Sequence, residues 1–382
     1  MKVSILGAGA IAHAHAEAVR AVAQHDGLEG VELSGVVDVD AARAEEFAAR
    51  HGIARHGTDL HELLASGEVD VLHVCTPPSL HLEQARAALA AGVHVVVEKP
   101  AVLSLAEIDA MAEAERAATG GARFTQIVQH RFGAGALRLR RLLADGVLGR
   151  PLVATCDTLW FRPPEYFDVP WRGRFDTEGG GPTMGHGIHQ FDLLLSVLGE
   201  WTEVRAMAGR LARDVDTEDV SMAMVRFASG AMASITNSLL SPRQTSALRV
   251  DTERATVELE HLYGYDDDAW RVTAAPGHED VLRAWSDDGA AAQERVDEGR
   301  SGHLAQLVPT YRALVAGEAP PITVADARGT LELAAAIYRS AFTGETVVRG
   351  QISAGDPFYD SMGGTGAPWP PVKDVPAQEA TP

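Results

Sequence analysis

The feature that most constrains this chain is a short apolar run that ends in closely spaced glycines and opens into helix-forming residues. "KVSILGAG" has the character of a buried strand and "AIAHAHAEAVRAVAQ" that of a helix. The junction "GAGAIA", Gly7 to Ala12, is a G-x-G-x-x-A turn. Gly7 permits the tight turn, Gly9 lets a pyrophosphate approach the main chain, and Ala12 keeps the helix close to the strand. The helix start, with Ala10 and Ile11 in its first turn, offers unpaired N–H groups and a partial positive charge. Gly7, Gly9, Ala10 and Ile11 are therefore candidate cofactor-binding residues.

Such a turn carries weight only in context, and the next elements supply it. "GVELSGVVDVD" predicts a strand over Leu33 to Val37 with Asp38 at its end. The spacing from Ala12 is 26 residues (38 minus 12), beyond the usual value of about 20, and the turn-rich "QHDGLEG" absorbs the excess. A carboxylate there accepts from the adenosine ribose hydroxyls and repels a 2′-phosphate, which favours NAD, with NADP as the alternative. A plain turn residue is the competing reading of Asp38. Val69 to Cys75 reads as another strand, closed by Thr76, Pro77 and Pro78, with His81 at the start of the following helix. "VHVVVEKP" is a strand that halts at Pro100, "SLAEIDAMAEAERAA" a helix capped by Ser104 with Glu107 three residues on, and "RFTQIVQHRF" a further strand. Alternating strands and helices imply a doubly wound, parallel Rossmann sheet with its ligand at the carboxyl ends of the strands. Thr76, Pro77, His81, Glu98 and Lys99 join the cofactor candidates on that ground, with a bland helix-start role open for His81.

Lys99 stands out by scarcity. The chain has 33 Lys and Arg residues, and only Lys2, Lys99 and Lys373 are lysines. A partly desolvated lysine exchanges a proton near neutral pH, whereas a surface lysine paired with Glu98 would not. The formal charge is −20 with no basic footprint, which argues against a nucleic-acid partner. Two cysteines, Cys75 and Cys156, exclude a disulfide framework. "MKVSILGAGA" lacks the form of a signal peptide and no apolar run of about 20 residues exists to span a bilayer. The expectation is a cytoplasmic protein with no membrane partner.

Further on, "GPTMGHGIHQFD" places His186 and His189 three residues apart at the start of the apolar "FDLLLSVL". On a helix both rings would reach one pocket. Two histidines without a neighbouring cysteine or carboxylate cluster make a poor zinc site, so no metal is expected. Acid/base work or substrate binding is favoured, and helix capping is the remaining alternative. Asp192, one turn beyond His189, is placed to orient a ring. The loop "RPPEYFDVPWRG" adds Tyr166, Trp171 and Arg172, residue types suited to the apolar faces and hydroxyl edges of a sugar or polyol, or simply to loop packing.

From about Leu152 the pattern changes to strands joined by short turns. "PLVATCDTLWF", "DVSMAMVRFASGAMASITNSLL", "TSALRVDTERATVELEHL" and "WRVTAA" predict an open, mostly antiparallel sheet in an α+β domain. Along Val220 to Phe227 both registers are largely apolar, so one face could pack on helices and the other on a second subunit. "VADARGTLELAAAIYRSAFTGE" is a helix begun at Thr323 or Asp326 and stopped by Gly344. The last dozen residues are expected to be disordered, while Phe358, Tyr359 and Trp369 suggest that the segment before them docks. This divides the chain into 1–130, 131–350 and a tail, 351–382.

"GAGAIA", "DVD", "TPPSLH" and "EKP", followed by "QHRF", "LADGVLGRPL", "GGGPTMGHGIHQFDLLLSVLG" and "LELAAAIYRSAFTGETV", resemble the glucose–fructose oxidoreductase and inositol dehydrogenase (Gfo/Idh/MocA) family over about residues 1–350. The resemblance implies an NAD(P)-dependent oxidoreductase acting on a secondary hydroxyl or carbonyl of a sugar, inositol or polyol. It implies catalytic roles for Lys99 and His189, substrate contacts from Lys99, Trp171, Arg172, His186 and His189, and a homodimer or homotetramer formed through the second sheet. One departure stands out. Inositol dehydrogenase-like members carry an aspartate four residues before the histidine, and that position here is Gly185. A nucleotide- and sugar-binding regulator without turnover, or a reductase of a non-sugar, are the alternatives that this departure leaves open.

Overall fold

The computed structural model describes residues 1–291 and 296–373. The chain forms two compact units, Met1–Ile127 with Gln306–Arg328, and Val128–Ala305 with Gly329–Lys373. In the first unit the order is β1 (Lys2–Leu6), α1 (Ala10–Val22), β2 (Glu32–Val37), α2 (Ala41–His51), β3 (Arg55–Gly57), α3 (Leu60–Ala65), β4 (Val71–Val74), α4 (His81–Ala90), β5 (His94–Val97), α5 (Leu105–Arg116) and β6 (Phe124–Gln126). The six strands pair in the order β3-β2-β1-β4-β5-β6, every pair parallel. The direction of winding reverses between β1 and β4, so the crevice expected for a ligand opens at the ends of those two strands. Their buried faces are aliphatic, led by Val3, Ile5, Val71, Leu72 and Val74.

Local signals account for the boundaries. Asp40 caps α2 through the N–H groups of Ala42 and Arg43. Ser104 Oγ accepts from the Glu107 N–H, as its spacing predicted, and the Glu107 carboxylate reaches back to the Leu103 N–H. The strand expected over "RFTQIVQHRF" is shorter: only Phe124–Gln126 is extended, and Gln129–Phe132 is a 3₁₀ turn. Tertiary bonds draw that turn out of the strand, because the Tyr265 hydroxyl donates to the His130 carbonyl and the His130 ring meets the Tyr263 carbonyl at 3.0 Å. Residues 306–328, placed by the sequence in the second domain, pack with the first unit. Gln306 Nε2 donates to the Gln126 carbonyl at 2.7 Å, and Arg328 Nε donates to Asp109 at 2.6 Å.

The second unit begins with α6 (Ala134–Ala144) and β7 (Pro151–Phe161), then α7 (Phe175–Glu178), a π-helical turn at Thr183–Gly187 and α8 (Ile188–Leu198). Seven more strands follow: β8 (Trp201–Gly209), β9 (Val220–Phe227), β10 (Met232–Ser238), β11 (Leu240–Thr252), β12 (Ala255–His261), β13 (Trp270–Ala274) and β14 (Val347–Val348). The sheet runs β13-β12-β11-β7-β10-β9-β8-β14, with β7 and β10 parallel and the other neighbours antiparallel. Helix α8 packs on β7 and β11. Side chains on the covered face, such as Cys156, Val225, Ile235 and Leu248, are buried. The opposite face carries Val153, Met207, Met222, Met224 and Met232, all exposed, with Met207 at 78%.

Four helices complete the description: α9 (Asp280–Ala291), α10 (His303–Ala316), α11 (Val324–Thr343) and the short α12 (Pro357–Asp360). Thr323 and Asp326 open α11 jointly, each accepting from the other's main-chain N–H, and Gly344 ends it in a left-handed conformation with φ of 72°. The segment before the terminus docks on the second unit, where Phe358 is buried and Trp369 Nε1 donates to the Asp216 carbonyl. Most of the dozen terminal residues expected to be disordered, 374–382, lie outside the described residues. No helix among the described residues is long and apolar enough to cross a membrane.

Candidate active site

The glycine turn after β1 has the form its residues predicted. Gly7 has φ of 89°, and a Cβ there would lie 2.9 Å from the Cys75 carbonyl, so both conformation and space require glycine. Gly9 is different: a Cβ added to it would meet nothing within 4 Å. Packing within the protein does not demand that glycine, whereas close approach of a ligand would. Gly9 forms the N-cap of α1 without a side-chain cap, and the first turn, where Ala10 and Ile11 are exposed, carries no acidic residue. The N–H groups of that turn are thus left to an anion. Asp38 is buried at the end of β2; Oδ2 accepts from the Ala8 N–H at 2.8 Å and Oδ1 from the Asp40 N–H at 2.9 Å. A carboxylate has about four lone-pair sites, so acceptor capacity remains for ribose hydroxyls. The Arg43 guanidinium lies 3.5 Å from Oδ1, a cation that the residue after Asp38 does not supply. These residues fit a dinucleotide: the turn for its pyrophosphate, Asp38 for its ribose.

The ends of β4 and β5 hold the next group. Thr76 Oγ1 donates to Gln84 Oε1 at 2.5 Å, and Pro77 leads into a 3₁₀ turn at Pro78–Leu80. His81, read from the sequence as lying near the cofactor, is fully buried between main-chain carbonyls, Nε2 at 2.8 Å from Thr76 O and Nδ1 at 3.0 Å from Pro100 O. Its ring ties two loops together, and burial holds its pKa below the usual imidazole value. Glu98 is also buried: Oε2 accepts from the Lys99 N–H at 3.1 Å and Oε1 meets His15 Nε2 at 2.8 Å. His15 Nδ1 lies 2.7 Å from His73 Nδ1, and His73 Nε2 lies 2.8 Å from the Tyr311 hydroxyl. Lys99 itself is half-buried. In the sequence nothing sets His15 apart from an ordinary helix residue; the signal that could draw attention to this chain is His73, a histidine inside the otherwise aliphatic β4.

In the second unit His186 lies on the π turn and is buried, while His189 lies in the first turn of α8 and is half-buried. Their rings have different neighbours. His186 packs edge-on to Trp160 at 5.0 Å and lies 6.2 Å from Tyr166. His189 stacks 4.9 Å from His130, which in turn lies 4.9 Å from His261. Asp192 does not serve as the ring orienter: its oxygens take Arg131 Nε and Nη2 at 2.6 and 2.7 Å and the Thr330 hydroxyl at 2.7 Å. Glu218, wholly buried, accepts from the Gly181 and Thr183 N–H groups and the Tyr338 hydroxyl, and so anchors the start of the π turn. Burial raises the Glu218 pKa. Gln190 donates to His261 Nε2, and burial together with His130 pushes the His261 pKa down to about 2. His130, His261 and Glu218 were not singled out in the sequence, since each lies far along the chain from the histidine pair.

The loop candidates gather around Tyr166. Arg172 lies over its ring at 3.8 Å and over Trp171 at 4.6 Å, and Arg162 lies over Trp160 at 4.7 Å. Rings alternating with guanidinium groups form a surface with apolar faces and donor edges. Lys373 Nζ donates to the carbonyls of Phe167 and Arg172, at 2.8 and 2.7 Å, and ties the docked C-terminal segment to this loop.

Comparison with known proteins adds independent findings. Residues 1–122 match the family model described as the oxidoreductase family, NAD-binding Rossmann fold, and residues 136–258 match that of the GFO/IDH/MocA C-terminal domain. D-glucoside 3-dehydrogenase of Escherichia coli (strain K12) is 27% identical over 378 residues, 91% of this chain and 97% of that protein. Myo-inositol 2-dehydrogenase of Thermotoga maritima is 26% identical over 360 residues, 89% of this chain and 96% of that protein. The WlbA dehydrogenase of Bordetella pertussis, solved in complex with NADH and UDP-GlcNAcA, superposes with a TM-score of 0.77 at 27% identity, covering 91% of this chain and 98% of that one.

Two measurements check this geometry. Asp38→Ala removes the carboxylate that would repel a 2′-phosphate and leaves Arg43 to face it. The ratio of NAD to NADP affinity is expected to fall at least about tenfold, a change of about 1.4 kcal/mol, in fluorescence titrations; a wild-type preference for NADP would contradict the assignment. His261 stays neutral in the folded protein down to about pH 2, whereas the unfolded chain protonates it below about pH 6.5. Its contribution to stability is therefore full above about pH 6.5 and lost as pH falls, by about 1.4 kcal/mol per unit. Urea unfolding from about pH 7 to about pH 5 should show a shallower loss for His261→Gln than for wild type.

Proposed function

The chain belongs to the Gfo/Idh/MocA oxidoreductase family, and from that premise we propose that it is an NAD-dependent dehydrogenase or reductase acting on a secondary hydroxyl or carbonyl of a sugar, inositol or related polyol. The observation that carries the reading is the pairing, in one chain, of an open glycine turn beside Asp38 with two histidines, His189 half-buried and His186 buried beside Tyr166 and the guanidinium that lies over its ring. The names of the relatives, a glucoside dehydrogenase and an inositol dehydrogenase, support the substrate class.

Removing hydride from a carbinol requires alignment, a base for the hydroxyl proton, and a donor for charge growing on the oxygen. NAD, when bound, supplies the hydride acceptor. The residues that would hold it are Gly7, Gly9, Ala10, Ile11, Asp38, Thr76, Pro77, Glu98 and Lys99, with His81 bracing the loops beneath. Imidazole titrates near neutrality, which suits His189 to take the hydroxyl proton. The Lys99 ammonium then stabilises the oxygen; the converse assignment uses the same two groups. Glu98 holds the Lys99 main chain, and His15 holds Glu98. Trp171, Arg172 and His186 orient the polyol through ring faces and donor edges.

The exposed methionine face of the second sheet belongs to the same proposal. An apolar face of this kind is costly to leave in water, and a second copy of the chain would cover it, giving a dimer or tetramer.

Lys99→Met and His189→Ala are each expected to lower kcat by on the order of 10²-fold or more against a panel of sugars and inositols followed by NADH absorbance, while NADH binding by fluorescence is kept. Wild-type protein that binds NADH but turns over nothing in the panel would count against the reading. Sedimentation velocity tests the association: wild type should run as a dimer or larger, and Met222→Glu with Met224→Glu as a smaller species.

A further inference from the structure

Two arginines of the candidate substrate loop lack a close carboxylate, in a chain that has acids to spare. Asp and Glu number 53 against 33 Lys and Arg. Arg131, Arg174, Arg226 and Arg254 each place a guanidinium nitrogen 2.6 to 2.9 Å from a carboxylate oxygen. Arg162 forms no ion pair among the described residues; its Nη1 donates to the Phe161 carbonyl at 3.1 Å and to Gln244 Oε1 at 3.4 Å. Arg172 makes no side-chain hydrogen bond among the described residues, and the one carboxylate that approaches it, Glu178, stands 4.0 Å from Nη1.

Both arginines contact rings instead. The Arg172 guanidinium lies 3.8 Å from the centre of the Tyr166 ring and 4.6 Å from that of Trp171. That of Arg162 lies 4.7 Å from Trp160 and 5.2 Å from the same Tyr166 ring. A guanidinium stacked on a ring uses its face and leaves its N–H edge for a planar acceptor. The Arg172 side chain is 23% exposed, so that edge is reachable. The same rings border His186, Trp160 at 5.0 Å and Tyr166 at 6.2 Å, so the two cations adjoin the π turn that leads into His189. Lys373 holds the carbonyls of Phe167 and Arg172, which fastens the loop before any ligand arrives.

Charge selects the ligand. Burial lowers the Arg172 pKa, Glu178 raises it, and the neighbouring Arg162 charge lowers it again. Two guanidinium groups and Glu178 leave a formal charge of +1 (2 minus 1) beside Tyr166. A neutral sugar leaves that charge unmatched, whereas one carboxylate balances it and accepts two parallel N–H bonds from an arginine fork.

We propose that the substrate is an acidic sugar, of the uronic or aldonic acid class, whose carboxylate is held by Arg162 and Arg172 beside Tyr166. The inference rests on the dehydrogenase reading above and narrows its substrate. The carboxylate takes no part in the oxidation: the carbinol carbon gives hydride to NAD, its hydroxyl gives a proton to the base, and a ketone forms with the carboxylate unchanged.

The test uses the full chain with NAD and matched substrates, glucuronate against glucose and galacturonate against galactose, with glucose 6-phosphate as a third arm. Wild type is expected to favour each acid over its neutral partner by at least about tenfold in kcat/KM. Arg172→Met and Arg162→Met, which keep an apolar stem against the rings, should lower kcat/KM for the acids on the order of tenfold or more, chiefly through KM. The neutral sugars should change little, so a general loss of fold or activity is told apart from loss of the anion contact. Preference of wild type for the neutral sugars, an equal loss on acid and neutral partners, or preference for the phosphate would overturn the proposal. Should Arg172→Met not fold, Arg172→Lys keeps the charge without the fork; an unchanged acid preference there overturns it too. If wild type turns over no sugar at all, the dehydrogenase reading fails by itself. Calorimetry of glucuronate binding with NADH present then decides this proposal: binding weakened in Arg172→Met upholds it, and binding that is absent or equal in both overturns it.

Discussion

Four polar side chains cross the apolar interior of the first unit in single file, and the arrangement of its strand ends depends on them. Tyr311, His73, His15 and Glu98 are each buried, and the links between them are 2.7 to 2.8 Å. In a low-dielectric interior each bond is stronger than in water, and each unmade one costs more. The file therefore has one low-energy arrangement. It sets the helix after the glycine turn against β4, brings the segment around Tyr311 to the same sheet, and leaves Glu98 holding the N–H of Lys99. A residue named for its chemistry, Lys99, is thus held by a residue named for packing, His15.

The second unit solves a related problem differently. Its two histidines lie three residues apart, yet they face separate neighbours, Trp160 and Tyr166 for one and His130 for the other. The π turn that carries His186 widens the helix locally, so spacing along the chain no longer maps onto a shared face. Glu218 fixes where that turn begins, and the Arg131–Asp192 pair holds the helix that follows. Both are buried carboxylates with every contact made by donors, the condition under which such charges are tolerated.

Much of the first unit was legible in the residues. Strand and helix alternation, the tight turn at Gly7, the carboxylate at Asp38, and the caps at Ser104 and Thr323 all depend on neighbours close in sequence. Most strands of the second sheet were also readable, though β8 was not singled out and the strand after β5 was read too long. The candidate site was legible in kind more than in arrangement. His81 and Asp192 were assigned to ligand and ring, and the structure gives them two loops and an arginine instead. His15 reads as an ordinary helix residue and Glu218 passes unremarked, because nothing near them in the chain marks a buried histidine or carboxylate as special.

By itself, the order of residues determined what is governed by short-range periodicity and backbone freedom: a parallel nucleotide-type sheet, a glycine turn shaped for an anion, an open second sheet with apolar residues in both registers, and the residue types available for proton transfer. Only the tertiary structure decided which polar groups meet. Partners such as His73 and Tyr311, or Asp192 and Arg131, are separated by dozens to hundreds of residues. Their pairing follows from the cost of leaving any buried donor or acceptor unmet, a quantity that exists only once the chain has closed around them.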